Sequence, residues 1–174
     1  IFVFALTLFA CQKPSNNKKA PLQKKIHKSA GGSERNEGYE QSAKDTLQID
    51  VDNTQITWIG RKVTGEHTGT LNLSNGWVVM DKSTIVGGKL IFDMTSISNS
   101  DIESPQWKQK LENHLKAEDF FYVDSFPRAT LEIKGNQSFI SEKSASTNHI
   151  LANLTIRGIT HEIELPYVLI QDVN

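Results

Sequence analysis

The feature that most constrains the fold is an alternation of apolar and polar residues that recurs along the chain from residue 54 onward. A period of two is typical of β-strands that have one face on a core and the other in water. Short turns join most of these segments, and Asn75-Gly76 favours a two-residue hairpin turn. Because strands and helices do not alternate, the sequence predicts an antiparallel all-β sheet rather than a parallel one. The alternating segments are residues 54–62, 67–73, 77–80, 84–93, 128–134, 149–157 and 161–170.

Strands of this length favour a closed sheet. Residues 54–62 would span about 30 Å at about 3.3 Å per residue, which is long for a small sandwich. Closure removes exposed strand edges, and a barrel of about eight strands encloses one small ligand. We therefore expect an elongated antiparallel β-barrel.

One segment breaks the alternation and predicts a helix over about residues 104–118. Trp107, Leu111 and Leu115 are spaced four residues apart and share one helix face. Ser104 and Pro105 suit the N-cap and first helical positions. We expect this helix to cover one end of the barrel with all three apolar side chains. The aromatic residues that follow it are expected either to line an entrance or to anchor the crossover: Phe120, Phe121 and Phe126.

The N-terminus predicts export rather than a folded domain. Residues 1–10 are almost entirely apolar and precede Cys11, the single cysteine. Ten helical residues span about 15 Å, half of a bilayer core, so the segment suits a truncated signal peptide better than a membrane span. Leu8 to Cys11 resembles a bacterial lipobox, which would make Cys11 the lipidation site of an envelope lipoprotein facing the periplasm or the cell surface. The alternative is a buried strand that ends in a free thiol.

Residues 12–46 are rich in Lys, Ser, Asn and Gly and predict a flexible tether. A basic patch on a membrane surface is the alternative reading of this segment. The whole chain has a formal net charge of −1, which argues against nucleic acid as its main partner. The folded domain is expected to begin at residue 47 and to reach residue 174.

The alternation places one set of apolar side chains on the inward face of the predicted strands. This set forms either an ordinary packed core or the lining of a cavity, and the pattern alone does not separate the two. Small residues such as Gly60, Gly69 and Ala152 are interleaved on the same faces. The inward set is Ile56, Trp58, Leu71, Leu73, Val86, Leu90, Phe92, Leu131, Ile133, Leu154, Ile156, Ile163, Leu165 and Tyr167.

Two polar residues invite a role at one end of this interior. Lys62 shares a face with Trp58, and His67 shares a face with Leu71 across the turn. Together they could contact the polar headgroup of a ligand whose tail lies among the apolar residues. The alternative is that Lys62 extends into solvent and His67 makes a structural hydrogen bond.

Motifs for other chemistry are missing from the sequence. The five histidines show no metal-ligand spacing, so no metal and no cofactor are expected. No glycine-rich phosphate loop or nucleophile elbow is present. The adjacent acids Glu118 and Asp119 suit a solvated helix end better than a catalytic pair.

A set of short motifs recurs along the folded part of the chain: Trp58-x-Gly60, Lys62 with Gly65-x-His67-x-Gly69, residues 88–93, His114-Leu115 with Asp119-Phe120-Phe121 and Phe126-Pro127-x-Ala129, and residues 153–160. Together these motifs resemble the YceI-like family, over about residues 47–169. The resemblance implies an elongated, lipocalin-like antiparallel barrel around a long apolar ligand, typically a polyisoprenoid or isoprenoid quinone. It also implies secretion to the periplasm or attachment to a membrane. Members usually carry further C-terminal strands, so the final strand or strands are expected to be missing here.

The resulting hypothesis is a membrane-anchored lipoprotein that binds a long amphiphilic lipid without chemical turnover. One alternative is a hydrolase built on the same barrel. Another is an envelope stress or interaction lipoprotein whose barrel is solid and whose surface does the work. The sequence does not fix the oligomeric state, and a dimer is one option.

Overall fold

The computed structural model describes residues 7–9, 44–137 and 148–170. Within these ranges the chain forms strands and one helix, which confirms the predicted all-β, lipocalin-like class with one inserted helix. Cys11 and nearly all of the predicted tether lie outside the described residues. The elements are β1 (Thr7–Phe9), β2 (Asp45–Gln48), β3 (Gln55–Lys62), β4 (Gly65–Asp81), β5 (Thr84–Asn99), α1 (Pro105–Lys116), β6 (Arg128–Gln137), β7 (Asn148–Ile156) and β8 (Ile159–Tyr167).

All strand pairs are antiparallel and belong to one sheet in the order β1-β3-β4-β5-β6-β7-β8. Strand β2 pairs with the far half of β4, so one edge of this long strand serves two partners. β2 begins two residues before the boundary expected for the folded domain. Among the described strands the sheet is not closed, since no pairing joins β3 to β8.

The sheet nevertheless curls around one core. The Tyr167 hydroxyl on β8 accepts a hydrogen bond from the Ile85 amide of β5 at 3.2 Å and another from Asn136 of β6 at 2.8 Å. Three strand steps in a flat sheet would separate β8 from β5 by about 14 Å. One side chain therefore reaches across only because the sheet is strongly curved.

The core contains every residue of the predicted inward set except Val86. For Val86 the prediction is wrong. A register shift between Val79 and Met80 of β4 changes which side chains of its partner strand β5 face inward. Among the described residues, Ile85 packs on the core in place of Val86. Gly88 lies beside this irregularity with a φ of +150°, where any side chain would meet the Trp77 carbonyl.

Strand β4 also differs from expectation. The predicted hairpin at Asn75-Gly76 does not form, and β4 continues from Gly65 to Asp81 as one strand. The pairing of β4 with β5 shifts register between Leu73 and Asn75. The Gly76 carbonyl accepts a hydrogen bond from the Ile49 amide at 2.9 Å. A side chain at residue 76 would press against Leu90. Tertiary packing therefore outweighs the local turn preference of Asn-Gly.

Helix α1 begins one residue after Ser104, with Pro105 in its first turn. Leu115 is buried and Leu111 packs against the core, as expected. Trp107 is 61% exposed, so its predicted packing on the barrel end is wrong. Its ring faces solvent and lies under the Lys110 ammonium at 4.9 Å instead.

Candidate functional site

A cavity of about 190 Å³ lies between α1 and the hairpin formed by β3 and β4. Helix α1 contributes Leu111 and Leu115 to its wall, and the sheet contributes Trp58 and Ile97. The lining is therefore mainly apolar, with polar groups concentrated on the hairpin. The complete lining is Trp58, Gly60, Arg61, Lys62, His67, Ile97, Leu111, His114, Leu115, Phe120 and Phe121.

The cavity brings together three groups of residues that sequence patterns singled out separately. Trp58 comes from the predicted apolar lining, and Lys62 and His67 are the predicted headgroup contacts. Phe120 and Phe121 come from the segment after the helix, and their rings meet edge to face with centroids 4.6 Å apart. All five residues surround one space.

Phe126 does not join them. Its ring lies 6.0 Å from that of Tyr122 and against Gly158, where an added Cβ would lie 3.2 Å from the phenylalanine ring. The expectation that Phe126 lines an entrance is therefore wrong for this cavity. Phe126 instead packs beneath the crossover, whose Phe120 carbonyl accepts a hydrogen bond from Arg157 at 3.0 Å.

Apart from Val86, the rest of the predicted inward set packs on the core, with Ile163, Leu165 and Tyr167 of β8 partly buried. Ile56, Leu90 and Leu131 are among the largest fully buried side chains, each no more than 2% exposed. A second, more open hollow of about 530 Å³ lies at the crossover, away from the helix, and is bordered by Ser74, Asp93, Ser125, Phe126, Pro127 and Arg128. The interior is therefore a packed core over most of its length, with space beside α1.

A large residue paired with a glycine forms the wall of that space on the sheet side. Trp58 on β3 lies opposite Gly69 on β4. A Cβ at residue 69 would collide with both the indole ring and the Ser98 carbonyl. The same carbonyl accepts a hydrogen bond from Trp58 Nε1 at 3.1 Å, which fixes the ring at the base of the cavity. Glycine at residue 69 is what allows β3, β4 and β5 to hold the ring in this position.

The polar side of the cavity is cationic. Arg61 Nε lies 2.9 Å from Glu66 Oε2, and both side chains are about half exposed, so this pair adds little stability. Lys62 has no ion pair or side-chain hydrogen bond within the described part of the chain. No residue that lines the cavity in the described ranges is an Asp or Glu. The carboxylates that pair with these cations therefore lie outside the lining.

His67 is held by one of those carboxylates. Its Nδ1 lies 2.9 Å from Asp101 Oδ2, while Asp101 Oδ1 accepts hydrogen bonds from the Thr68 amide at 2.7 Å and from Asn99 Nδ2 at 2.6 Å. Partial burial raises the pKa of Asp101, but these hydrogen bonds and the His67 charge outweigh it and lower the pKa below its usual value of 3.8. Asp101 therefore stays ionised and orients the imidazole.

Asn99 is central to this arrangement and is only 1% exposed. Its Nδ2 also donates to the Thr68 carbonyl at 2.9 Å, and its Oδ1 accepts from the Ile102 amide at 2.9 Å. Glu112 of α1 accepts hydrogen bonds from the Asn99 amide at 2.8 Å and the Ser98 hydroxyl at 2.9 Å. One polar network thus joins the helix to the hairpin that carries His67.

Sequence patterns missed Asn99, Asp101 and Glu112. The predicted strand ended at Asp93, whereas β5 continues to Asn99 and adds Met94 and Ile97 to the core. The polar run after Ile97 is a usable signal for a strand end. The β4 partners of Asn99 and Asp101, however, lie 31 or more residues away along the chain, so spacing could not have identified them.

Neither a metal site nor a membrane-spanning helix is found in the described ranges. They contain no group of three or more His, Cys, Asp or Glu residues placed to hold a metal ion. Helix α1 is the one helix within those ranges, and it is too short and too polar to cross a membrane.

Comparisons with known proteins agree with the all-β, lipocalin-like fold described above. Residues 47–173 match the family model described as YceI-like domain. UPF0312 proteins of Staphylococcus aureus strains N315, Mu50 and bovine RF122 are each 41% identical over 51 residues, or 29% of this chain. That match spans a quarter of the length of these relatives.

Proposed function

The chain belongs to the YceI-like family, and on that premise we propose that it binds a long amphiphilic lipid, of the isoprenoid or isoprenoid-quinone type, without chemical turnover. Barrels of this family generally bind lipids such as polyisoprenoids. The observation that carries the proposal is the cavity beside α1, where an apolar wall meets a cationic rim. In this arrangement the first part of the tail contacts Trp58, Leu111 and Phe121, while the headgroup stays near Lys62 and His67.

The size of the cavity determines how a long tail is accommodated. Its volume of about 190 Å³ is smaller than the roughly 300–1,000 Å³ of typical ligand pockets. A long lipid therefore needs more space than this conformation provides. Separation of α1 from the sheet supplies it, because Leu111 and Leu115 form the wall between the cavity and the core.

A non-catalytic role is favoured by the chemistry of the lining. In the described structure no hydroxyl, thiol or carboxylate side chain lines the cavity. A hydrolase requires a nucleophile or an activated water beside the bound substrate. We expect a lipid incubated with the protein to be recovered chemically unchanged.

The proposal for where this activity takes place is based on the N-terminal sequence. We propose that Cys11 carries a lipid anchor and holds the domain at the bacterial envelope, facing the periplasm or the cell surface. Metabolic labelling with an alkyne fatty acid, compared between wild type and Cys11→Ala, tests this part of the proposal. Equal labelling of the two proteins would contradict it.

The binding proposal is tested by native mass spectrometry of the purified chain, followed by solvent extraction and identification of any retained lipid. The matched variants are Leu111→Trp, which fills the cavity from α1, and Gln109→Trp, which adds the same side chain on the exposed side of the helix. We expect Leu111→Trp to lose the lipid and Gln109→Trp to retain it, with both proteins folded by circular dichroism. Absence of bound lipid in wild type, or equal retention by the two variants, would refute the proposal.

A further inference from the structure

The charges at the rim of the cavity define the kind of headgroup that the site accepts. Arg61 and Lys62 bring cationic side chains to the rim, and His67 and His114 carry a positive charge in their protonated forms. The acid partners of three of them lie outside the lining: Glu66 is 2.9 Å from Arg61, Asp101 is 2.9 Å from His67 and Asp119 is 3.4 Å from His114. Lys62 alone of the four has no such partner in the described structure.

Strand register places Lys62 and His67 within reach of a single small anion. His67 lies directly opposite Gly60, and Lys62 is two residues further along β3 on the same face. Diagonal neighbours of this kind are about 7–8 Å apart, a distance that long side chains reach across. Gly60 has no side chain between them. A headgroup placed above Gly60 therefore meets the Lys62 ammonium and the His67 ring together.

The orientation of His67 supports the same conclusion. Asp101 occupies Nδ1, which leaves Nε2 for the cavity side. In protonated His67 both ring nitrogens donate hydrogen bonds, so Nε2–H can pair with an anion, whereas neutral His67 with Nδ1–H offers only an acceptor. Asp101 already pairs with His67 and accepts hydrogen bonds from the Thr68 amide and Asn99, so both of its oxygens are occupied by groups of the protein.

We propose that the site selects amphiphiles with an anionic headgroup, a carboxylate or a phosphate, and that Lys62 and His67 are the residues that determine this selectivity. The inference rests on the proposed lipid binding and narrows it, because it favours lipids with an anionic headgroup over those with a neutral quinone. A charge-assisted hydrogen bond is stronger than a neutral one, so an anion gains more from this rim than an alcohol does. A cationic headgroup is repelled by Arg61 and Lys62.

The test uses four ligands that share a decyl tail: decanoate, decyl phosphate, 1-decanol and decyltrimethylammonium, each titrated calorimetrically below its micelle concentration. We expect decanoate or decyl phosphate, or both, to bind wild type roughly tenfold more tightly than decanol, as one charge-assisted hydrogen bond implies. Lys62→Gln should remove most of this preference. The control is Lys89→Gln, which removes a lysine from the outer face of β5 between Trp77 and Glu132 and should leave the preference unchanged.

A pH profile distinguishes selection by His67 from a purely structural role. The preference of wild type for the anion should weaken as pH is raised until His67 is neutral, and His67→Gln should not show this change. The other titratable or charged groups that face this part of the site are Arg61, Lys62, Glu66, Asp101 and His114. Asp101→Asn tests whether the carboxylate acts through the imidazole, since it should weaken anion binding while leaving decanol binding unchanged.

The outcomes separate this inference from the function on which it rests. Equal affinity for decanoate, decyl phosphate and decanol, unaffected by Lys62→Gln, would overturn the headgroup assignment and leave lipid binding intact. Failure of all four decyl ligands to bind a folded protein would overturn lipid binding itself. Preference for decyl phosphate alone, or for decanoate alone, also supports the inference. The first result identifies the ligand as phospholipid-type and the second as fatty-acid-type.

Discussion

Asn99 offers a direct measure of how much the polar network contributes to the structure around the cavity. The change to test is Asn99→Ala, which deletes a side chain only 1% exposed and its hydrogen bonds to Thr68, Asp101 and Ile102. A typical intramolecular hydrogen bond contributes about 1 kcal/mol net, so three of them set an upper value of roughly 3 kcal/mol. The Thr68 carbonyl keeps a bond from the Ser100 amide, whereas the Ile102 amide loses its partner.

The expected loss of stability is therefore about 2–3 kcal/mol, most of it from the Ile102 amide and the cavity left by the side chain. For a domain of this size that corresponds to a fall of about 10 °C in Tm. Urea and thermal unfolding followed by circular dichroism measure both quantities. Asn72→Ala is the control, because Asn72 is exposed on β4 and its loss should change stability by less than about 0.5 kcal/mol. If Asn99→Ala were as stable as Asn72→Ala, the network would not be what fixes this end of the sheet.

Three further changes follow from the same structure. Gly69→Ala should destabilise the domain by about 3 kcal/mol or more in urea unfolding, since its Cβ collides with the Trp58 ring. The control Gly135→Ala has open space around its Cβ and should change stability by less than about 0.5 kcal/mol. Equal stabilities of the two variants would contradict the close packing at Gly69. Asp101 has a lowered pKa, so its contribution is complete above about pH 4 and is lost as acid protonates it in the folded protein. Unfolding free energy measured from pH 6 downward should therefore fall less steeply in Asp101→Asn, and parallel curves would argue against the hydrogen-bonded carboxylate. Tyr167→Phe should cost about 1–2 kcal/mol, because the hydroxyl joins β8 to two other strands; no change in the urea midpoint would show that the curvature does not depend on it.

Periodicity in the sequence was sufficient for the fold class and for most of the core. The alternation along β3 and β6 placed Ile56, Trp58 and Leu131 on the inward face, and the structure buries all three. A period of two is a direct consequence of strand geometry, so it survives without knowledge of the strand partners. It fails where a bulge intervenes, which is why Ile85 rather than Val86 packs on the core.

Local turn and helix signals were weaker guides than the alternation. Asn75-Gly76 carried a strong hairpin signal, but β4 passes straight through it because Ile49 and Leu90 pack against Gly76. Helical spacing grouped Trp107 with Leu111 and Leu115, yet it could not show where the apolar face of the sheet ends. Propensity describes a segment by itself, and in both cases its neighbours decided the outcome.

The sequence by itself determined the antiparallel all-β architecture, the position of α1 and the family, because each rests on local patterns along the chain. Only the tertiary structure decided that most of the interior is packed and that a cavity lies beside α1. The Asn99 and Asp101 network likewise depends on contacts between residues more than 30 positions apart. Register and curvature set such contacts, and neither is encoded in the spacing of residues within one segment.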